Sequence, residues 1–235
     1  MDFSLLVYGD TGWGDEMLVG GVMTIAIATC SFLLGIVFAV AAAAAKLSQS
    51  IFFRGLAAIY TTVIRGIPEL LIIYLVFFGA GQLMRSVATL FGYTEYFDLP
   101  IFVTGMICIG ASSGAYSTEV IRGAVLAIPK GQLEAGKAIG MDKWLMFWRI
   151  LVPQAARFAL PGLGNIWQVT LKETALISVI GLADVMRKAS EASGSTKEPF
   201  TFYFTALVIF YVITKVSGRG FIFAEAQANK GVRRI

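Results

Sequence analysis

This sequence contains five apolar segments of membrane-spanning length, and they restrict the folds that it can adopt. The segments are 17–45, 55–81, 101–121, 159–176 and 200–216. A helix that crosses a membrane needs about 20 mainly apolar residues. The composition agrees, because only 14% of the residues are charged, whereas soluble domains carry roughly 25%. The sequence therefore predicts an all-α integral membrane protein with five transmembrane helices in one membrane domain, 17–219.

The second segment is interrupted by a short polar stretch that contains a proline. Arg65, Gly66, Pro68 and Glu69 lie together near its middle. Proline removes a backbone donor and disfavours helix at the preceding residue, so the span is predicted to kink here, with Arg65, Gly66 and Pro68 as the hinge. Glu69 has two interpretations. The first is an ion pair with Arg65 on one helical face. The second is a place on a substrate path, because carboxylates at membrane depth are usually functional.

The distribution of cations predicts the orientation of the chain. Cytoplasmic loops are enriched in Lys and Arg, whereas residues 1–16 contain neither and carry four acidic residues. We therefore place 1–16 in the periplasm and the turn 46–54, the loop 122–158 and the tail 220–235 in the cytoplasm. This gives an N-out, C-in, multi-pass protein of the bacterial inner membrane. Because the start is acidic and the first apolar run is long, no signal-peptide cleavage is expected.

Several kinds of chemistry lack the residues that they need. There is no His, and Cys30 and Cys108 both fall within predicted spans, so neither a disulfide framework nor a metal site is expected. No phosphate-binding G-x-x-x-x-G-K-[ST] loop occurs, so the chain is predicted to bind no cofactor and to be non-catalytic. The net charge of +4 is explained by topology, so we expect contact with membrane lipid and none with nucleic acid.

A basic amphipathic stretch, 129–153, lies in the largest predicted cytoplasmic loop. A short helix ended by Gly140 is expected, because glycine readily takes the left-handed conformation at a helix C-terminus. Asp142 is placed to cap a second helix. Such a helix–turn–helix element would fit a groove on another protein. The alternative is a hairpin that lies on the lipid surface, anchored by Trp144 and Trp148.

The spacing within this stretch resembles the EAA loop of the membrane subunits of ABC importers, E-A-A-x3-G-x9-I-x-L-P. The corresponding positions are Glu134, Ala135, Gly136, Gly140, Ile150 and Pro153. Gly136 stands where alanine is usual, and Val152 stands where leucine is usual. Both exchanges keep a small or apolar residue. The resemblance implies that these residues couple the chain to a separate ATPase.

Other motifs extend the resemblance over most of the chain. The R-G-x-P sequence at 65–68, together with 115–119 and 122–124, is similar to type I ABC permease subunits for cationic amino acids and opines. The similarity is to the Q-type subunits of histidine/lysine/arginine/ornithine and octopine/nopaline systems. It implies import by alternating access, a related second permease in a heterodimer, two ATPase subunits that hold ATP and Mg²⁺, and a periplasmic substrate-binding protein.

Two other functions stay open for a chain with this pattern. A secondary amino-acid transporter subunit would need no ATPase, although the absence of an inverted repeat argues against it. A structural subunit would have no substrate path and would support translocation by another permease.

Glu173, near the end of the fourth predicted span, is the second acidic candidate for the substrate path. A carboxylate that faces a cavity would attract the guanidinium or ammonium of a basic amino acid, and Thr174 and Ser178 follow it on the same path. The alternatives are a pair with Lys172 or Arg187, or exposure at the periplasmic surface.

Other polar and small residues within the spans are predicted to serve packing. Glu119 and Arg122 are spaced for an ion pair within one helix. The small residues between 105 and 114 suit a close contact between helices. Asn165 and Gln168 are expected to form hydrogen bonds with neighbouring helices, or to line the path.

Overall fold

The structure is a computed structural model that describes residues 3–9, 12–90 and 99–230. Within these ranges the chain is helical and forms no β-strand. The α-helices are α1 (Gly14–Leu47), α2 (Ile51–Gly66), α3 (Glu69–Leu90), α4 (Ile101–Leu126), α5 (Lys130–Ala138), α6 (Lys143–Met146), α7 (Val152–Glu173), α8 (Val185–Thr196) and α9 (Pro199–Ala228). Short 3₁₀ helices cover Phe3–Leu6 and Thr174–Ile180, and a π-helical turn covers Phe147–Leu151.

The long helices match the predicted spans in part. α1, α4 and α9 are long and apolar enough to cross a membrane, and the bent pair α2 and α3 makes a fourth if it is one span. Most of the predicted span 159–176 lies in α7, whose charged and amide side chains keep its hydropathy below that of the other three, and its last three residues begin the 3₁₀ helix. α7 packs instead between α4 and α9. The total of five spans therefore stays a prediction.

α1 packs chiefly against α4, and glycines at the contact let the two backbones approach. A Cβ atom on Gly114 would lie 2.9 Å from the carbonyl oxygen of Gly35, and one on Gly110 would lie 3.1 Å from the carbonyl oxygen of Ser31. α2 joins this pair, because the Tyr60 hydroxyl donates a 2.7 Å hydrogen bond to a backbone carbonyl of α4. The predicted packing role of the small residues in 105–114 is confirmed.

This contact gives a test of the fold. Gly114→Ala is expected to lower the midpoint of thermal aggregation of the detergent-solubilised complex, because overpacking typically costs about 1–3 kcal/mol. The matched control is Gly123→Ala on the same helix, where an added Cβ meets nothing within 4 Å. The two variants have the same change in composition. An equal midpoint for both would show that the α1–α4 contact tolerates the extra methyl group.

The main apolar core lies beside the break between α2 and α3. Its buried residues come from five elements of the chain. They are Ile27, Ile72, Ile73, Cys108, Ile109, Ile177, Ile180 and Leu182. Because α1, α3, α4, the 3₁₀ helix Thr174–Ile180 and the loop that follows it meet here, the first turn of α3 is fixed against α4 by apolar packing.

α8 is attached to the beginning of α1. The Asp184 carboxylate caps α8 by accepting a 2.9 Å hydrogen bond from the Arg187 N–H, and the Val185 N–H donates to Thr24 Oγ1 at 3.3 Å. Gly20 permits this approach, since a Cβ there would lie 3.0 Å from the Asp184 backbone. Burial raises the pKa of Asp184 to about 6. The segment 178–198 is therefore packed on the first helix.

Candidate functional site

Pro68 breaks the second predicted span and sets the direction of α3. α2 ends at Gly66 and α3 begins at Glu69, and the two helices differ in direction by 106°. Ile67 has extended backbone angles, φ −106° and ψ 137°, as expected for a residue before proline. The kink predicted from the sequence is therefore present, and it places Glu69 in the first turn of a new helix.

The break separates the two charges on either side of it. The predicted ion pair between Arg65 and Glu69 is wrong, because it required one continuous helix through both residues. Glu69 instead accepts a hydrogen bond from the Ser112 hydroxyl of α4. Arg65 lies with its Cζ atom 5.1 Å from the centroid of the Tyr116 ring.

Glu69 and Glu173 come together from distant parts of the sequence. Their carboxyl groups lie close enough to interact, with Glu69 at the start of α3 and Glu173 at the end of α7. Two ionised carboxylates in contact repel each other, and a nearby cation stabilises both. We call Glu69 and Glu173 the acidic pair. The charge of this pair favours a guanidinium or ammonium group as its counter-ion.

The two cations predicted as alternative partners of Glu173 do not contact it. Lys172 is exposed, and Arg187 Nε pairs with Glu191 at 2.7 Å. Among the described residues Glu173 forms no ion pair with either cation, so that alternative is wrong. The partner of Glu173 is the second carboxylate.

A cavity of about 290 Å³ opens beside Glu173, which is the member of the acidic pair that lines it. Its lining includes Ser113, Tyr116, Asn165, Val169, Thr170 and Glu173. The Thr170 hydroxyl is fully buried behind this lining and has no hydrogen-bond partner among the described residues. The cavity therefore combines a carboxylate, an amide and an aromatic ring.

The two hydroxyl residues predicted beside Glu173 do not reach this cavity. Thr174 is buried, and its hydroxyl donates to the Leu171 carbonyl at 2.8 Å. The Ser178 hydroxyl donates to the Ala175 carbonyl at 2.7 Å. Both hydroxyls donate within their own helical turns, and their place on a substrate path stays a prediction.

A second cluster of polar side chains lies further along α4. Glu119 pairs with Arg122 at 2.9 Å, as predicted, and it also pairs with Lys46 at the end of α1. The Lys46 ammonium donates a further hydrogen bond of 2.6 Å to Thr61 of α2. This network ties α1, α2 and α4 together one turn beyond Tyr116.

The stretch 129–153 forms the predicted helix–turn–helix. α5 is followed by Gly140 with φ +78°, a left-handed conformation that favours glycine. The Asp142 carboxylate caps α6 by accepting a 2.8 Å hydrogen bond from the Leu145 N–H. Gly136 is buried against the second helix, where an added Cβ would lie 2.8 Å from Ile150 Cδ1. Glu134 is exposed on the outer surface.

The second helix of this element has no break before α7. α6 passes through the π-helical turn Phe147–Leu151 directly into α7, with Pro153 in the first turn of α7. Because α7 ends at Glu173, one helical rod joins the Gly140 turn to the acidic pair. This rod includes the π-helical turn and an internal proline, Pro161 of α7.

Comparison with known proteins identifies the family. Residues 31–222 match the family described as "Binding-protein-dependent transport system inner membrane component". The chain belongs to this family. As a family member it is a membrane component of a transport system, and its apolar helices agree with that placement.

Named relatives of this inner-membrane component are similar over their whole length. This chain is 60% identical over 234 residues to the nopaline transport system permease protein NocQ of Agrobacterium fabrum, with 99% of each chain covered. It is 40% identical to the histidine/lysine/arginine/ornithine permease protein HisQ of Escherichia coli, over 97% of this chain and 99% of that protein. Both relatives are named as permeases.

A solved structure has the same fold. The crystal structure of an amino acid ABC transporter with histidines superimposes with a TM-score of 0.77 at 29% identity, covering 92% of this chain and 95% of that one. This likeness extends the family assignment to the arrangement of the helices.

The sequence of this inner-membrane component did not predict three of the contacts described above. It did not pair Glu69 with Glu173, Lys46 with Glu119 or Arg65 with Tyr116. A partial signal existed for the cavity, because Asn165, Val169 and Glu173 recur every fourth residue and so share one face of α7.

Proposed function

We propose that this chain is a permease subunit of an ATP-driven importer that carries basic amino acids or opines across the bacterial inner membrane. The observation that carries the substrate class is the acidic pair beside the cavity. A carboxylate holds a guanidinium or ammonium by a charge-assisted hydrogen bond. The names of the relatives, nopaline and histidine/lysine/arginine/ornithine permeases, support the same class.

The proposed assembly contains a second, related permease, two ATPase subunits that bind ATP and Mg²⁺, and a periplasmic substrate-binding protein. The chain would sit N-out and C-in with five spans. Exposed apolar side chains on α2, such as Phe52 and Ile59, would face lipid or the second permease. The family description, a component of a binding-protein-dependent system, supports the binding protein in this list.

We assign coupling to the element around Glu134 and Gly140. Closure of the ATPase subunits on ATP would move α5 and the Gly140 turn, and the continuous rod from α6 to α7 would carry that motion to Glu173. The bend at Arg65, Gly66 and Pro68 would serve as the hinge on the opposite side of the cavity. Such a motion switches a packed membrane element between two arrangements.

Reconstitution tests this function. The chain, purified with its associated subunits and placed in vesicles with its binding protein, is expected to take up labelled nopaline or L-arginine only when ATP is supplied on the side that faces α5. ATP-independent uptake driven by an ion gradient would identify a secondary transporter. Full uptake by a complex that lacks this chain would identify a structural subunit.

A further inference from the structure

A larger cavity, of about 540 Å³, lies between α7 and α9. Its volume is within the range of about 300–1,000 Å³ that is usual for ligand sites. Lys215, Arg219 and Glu225 of α9 line it, together with Gln168 of α7. Within residues 3–9, 12–90 and 99–230, none of the three charged side chains forms an ion pair. The cavity therefore presents charges of both signs that the described chain leaves unpaired.

The two cations of this cavity lie on one face of α9. Lys215 and Arg219 are four residues apart, and like charges at this spacing repel each other. The Lys215 ammonium lies 5.4 Å from the centroid of the Tyr211 ring, a contact that attracts the cation without neutralising it. An anion held between the two cationic side chains would relieve their repulsion.

Gly218 leaves the space beside these cations open. A Cβ atom at this position would have the Gln168 Nε2 atom as a neighbour at 3.8 Å, so the side-chain amide of α7 lies next to the gap. An amide N–H donates hydrogen bonds to anionic oxygens, as ammonium and guanidinium groups do. Donors from both helices therefore line the same part of the cavity.

The cavity lies towards the end of the bundle that carries the Gly140 turn. α7 begins at this end and α9 ends there, since Arg157 Nε donates a 2.9 Å hydrogen bond to the Ala228 carbonyl, at the last residue of α9. Before the cations, α9 presents exposed apolar side chains, such as Leu207 and Val212. An apolar helix surface followed by cations is typical of a membrane helix that reaches the lipid headgroups.

We propose that this cavity binds the headgroup of a phospholipid that carries both a phosphate and an ammonium group, in the leaflet on the side of the Gly140 turn. Lys215 and Arg219 bind the phosphate by charge-assisted hydrogen bonds, as basic pockets between membrane helices do. Glu225 lies six residues nearer the helix end than Arg219, a rise of about 9 Å. It binds the ammonium, which is attached beyond the phosphate at the end of the headgroup away from the acyl chains.

The test measures lipid binding to the purified, delipidated complex by native mass spectrometry. The probes are dioleoylphosphatidylethanolamine, which carries a phosphate and an ammonium, dioleoylphosphatidylglycerol, which carries the phosphate alone, and diolein, which carries neither. The wild-type complex is expected to bind the ethanolamine lipid most tightly and diolein least. Equal binding of diolein and the ethanolamine lipid would overturn the headgroup site, and tighter binding of the glycerol lipid would overturn the contact with the ammonium.

Three variants locate the binding in this cavity. Lys215→Gln combined with Arg219→Gln is expected to weaken binding of the ethanolamine lipid by about tenfold or more, because two charge-assisted contacts with the phosphate are lost. The matched control is Arg54→Gln combined with Lys230→Gln, which removes the same charge at two exposed positions outside the cavity and should bind as the wild type does. Glu225→Gln keeps the size of the side chain and should lower the ratio of ethanolamine-lipid to glycerol-lipid affinity by about fivefold or more.

Unchanged affinity in the double variant at Lys215 and Arg219 contradicts the phosphate site, and an unchanged ratio in Glu225→Gln contradicts the ammonium contact. A large excess of sodium phosphate or O-phosphoethanolamine, added to the wild-type complex, distinguishes a lipid from a soluble phosphate compound. We expect the lipid to stay bound, and its displacement by either compound would assign the cavity to a soluble ligand. The lipid series on the wild type needs no variant, substrate or ATP, so its outcome is independent of variant assembly and of the proposed transport function.

Discussion

Glu173→Gln is expected to lower uptake of a basic substrate by a factor of about 30 or more per assembled complex. Removal of one partner from a desolvated, charged hydrogen bond typically costs about 2–5 kcal/mol, and each 1.4 kcal/mol is a factor of about ten. Glutamine keeps the size of the side chain and loses the charge. The measurement is the initial rate of uptake of labelled nopaline or L-arginine, divided by the amount of complex in the vesicles.

The matched control is Glu191→Gln. Glu191 pairs with Arg187 on α8, where both side chains are substantially exposed, and exposed pairs contribute about 0–1 kcal/mol. Its uptake should equal that of the wild type. If Glu173 has only a structural role, its variant will show less complex with normal uptake per complex. Unchanged uptake by Glu173→Gln would refute the site.

Glu69→Gln belongs in the same experiment, because Glu69 and Glu173 are in contact. Residues in contact show non-additive effects in a double-mutant cycle. We expect the double variant to lose less than the sum of the two single losses, expressed as free energies. Additive losses would mean that the two carboxyl groups act on the substrate independently.

Gly140→Trp is expected to abolish the stimulation of ATP hydrolysis by the loaded binding protein, while the subunit still inserts and assembles. Gly140 has φ +78°, a conformation that costs a non-glycine residue roughly 1–2 kcal/mol. An added Cβ meets nothing within 4 Å in this chain, so the indole would project into the space where we propose that the ATPase subunit docks. The measurement is ATPase activity of the complex with and without the loaded binding protein.

Two controls separate the causes of this effect. Gly131→Trp on α5 places the same side chain at a glycine that also has open space around it but an ordinary helical backbone. Gly140→Asn tests the turn, since asparagine tolerates the left-handed conformation. Stimulation should survive in both. Normal stimulation in Gly140→Trp would contradict the coupling role of this turn, whereas equal loss in Gly131→Trp would assign the effect to bulk alone.

Features that depend on neighbouring residues were predictable from the sequence. The kink before Pro68, the turn at Gly140, the Asp142 cap and the Glu119–Arg122 pair all appear in the structure. Each results from the backbone chemistry of one residue or from a spacing within one helical turn. The motif spacing likewise indicated the family, because its fixed positions lie within one short stretch.

The contacts that make the candidate site were decided by tertiary packing. Glu69 meets Glu173 only because Pro68 turns α3 by 106° and the apolar core holds its first turn against α4. The same bend moved Arg65 away from Glu69 and placed it over Tyr116. Local spacing could not reveal these partners, since the direction of one helix relative to another is set by side-chain packing between distant segments. The sequence by itself determined a helical membrane protein with a glycine turn between two helices, and only the tertiary structure decided which charges meet.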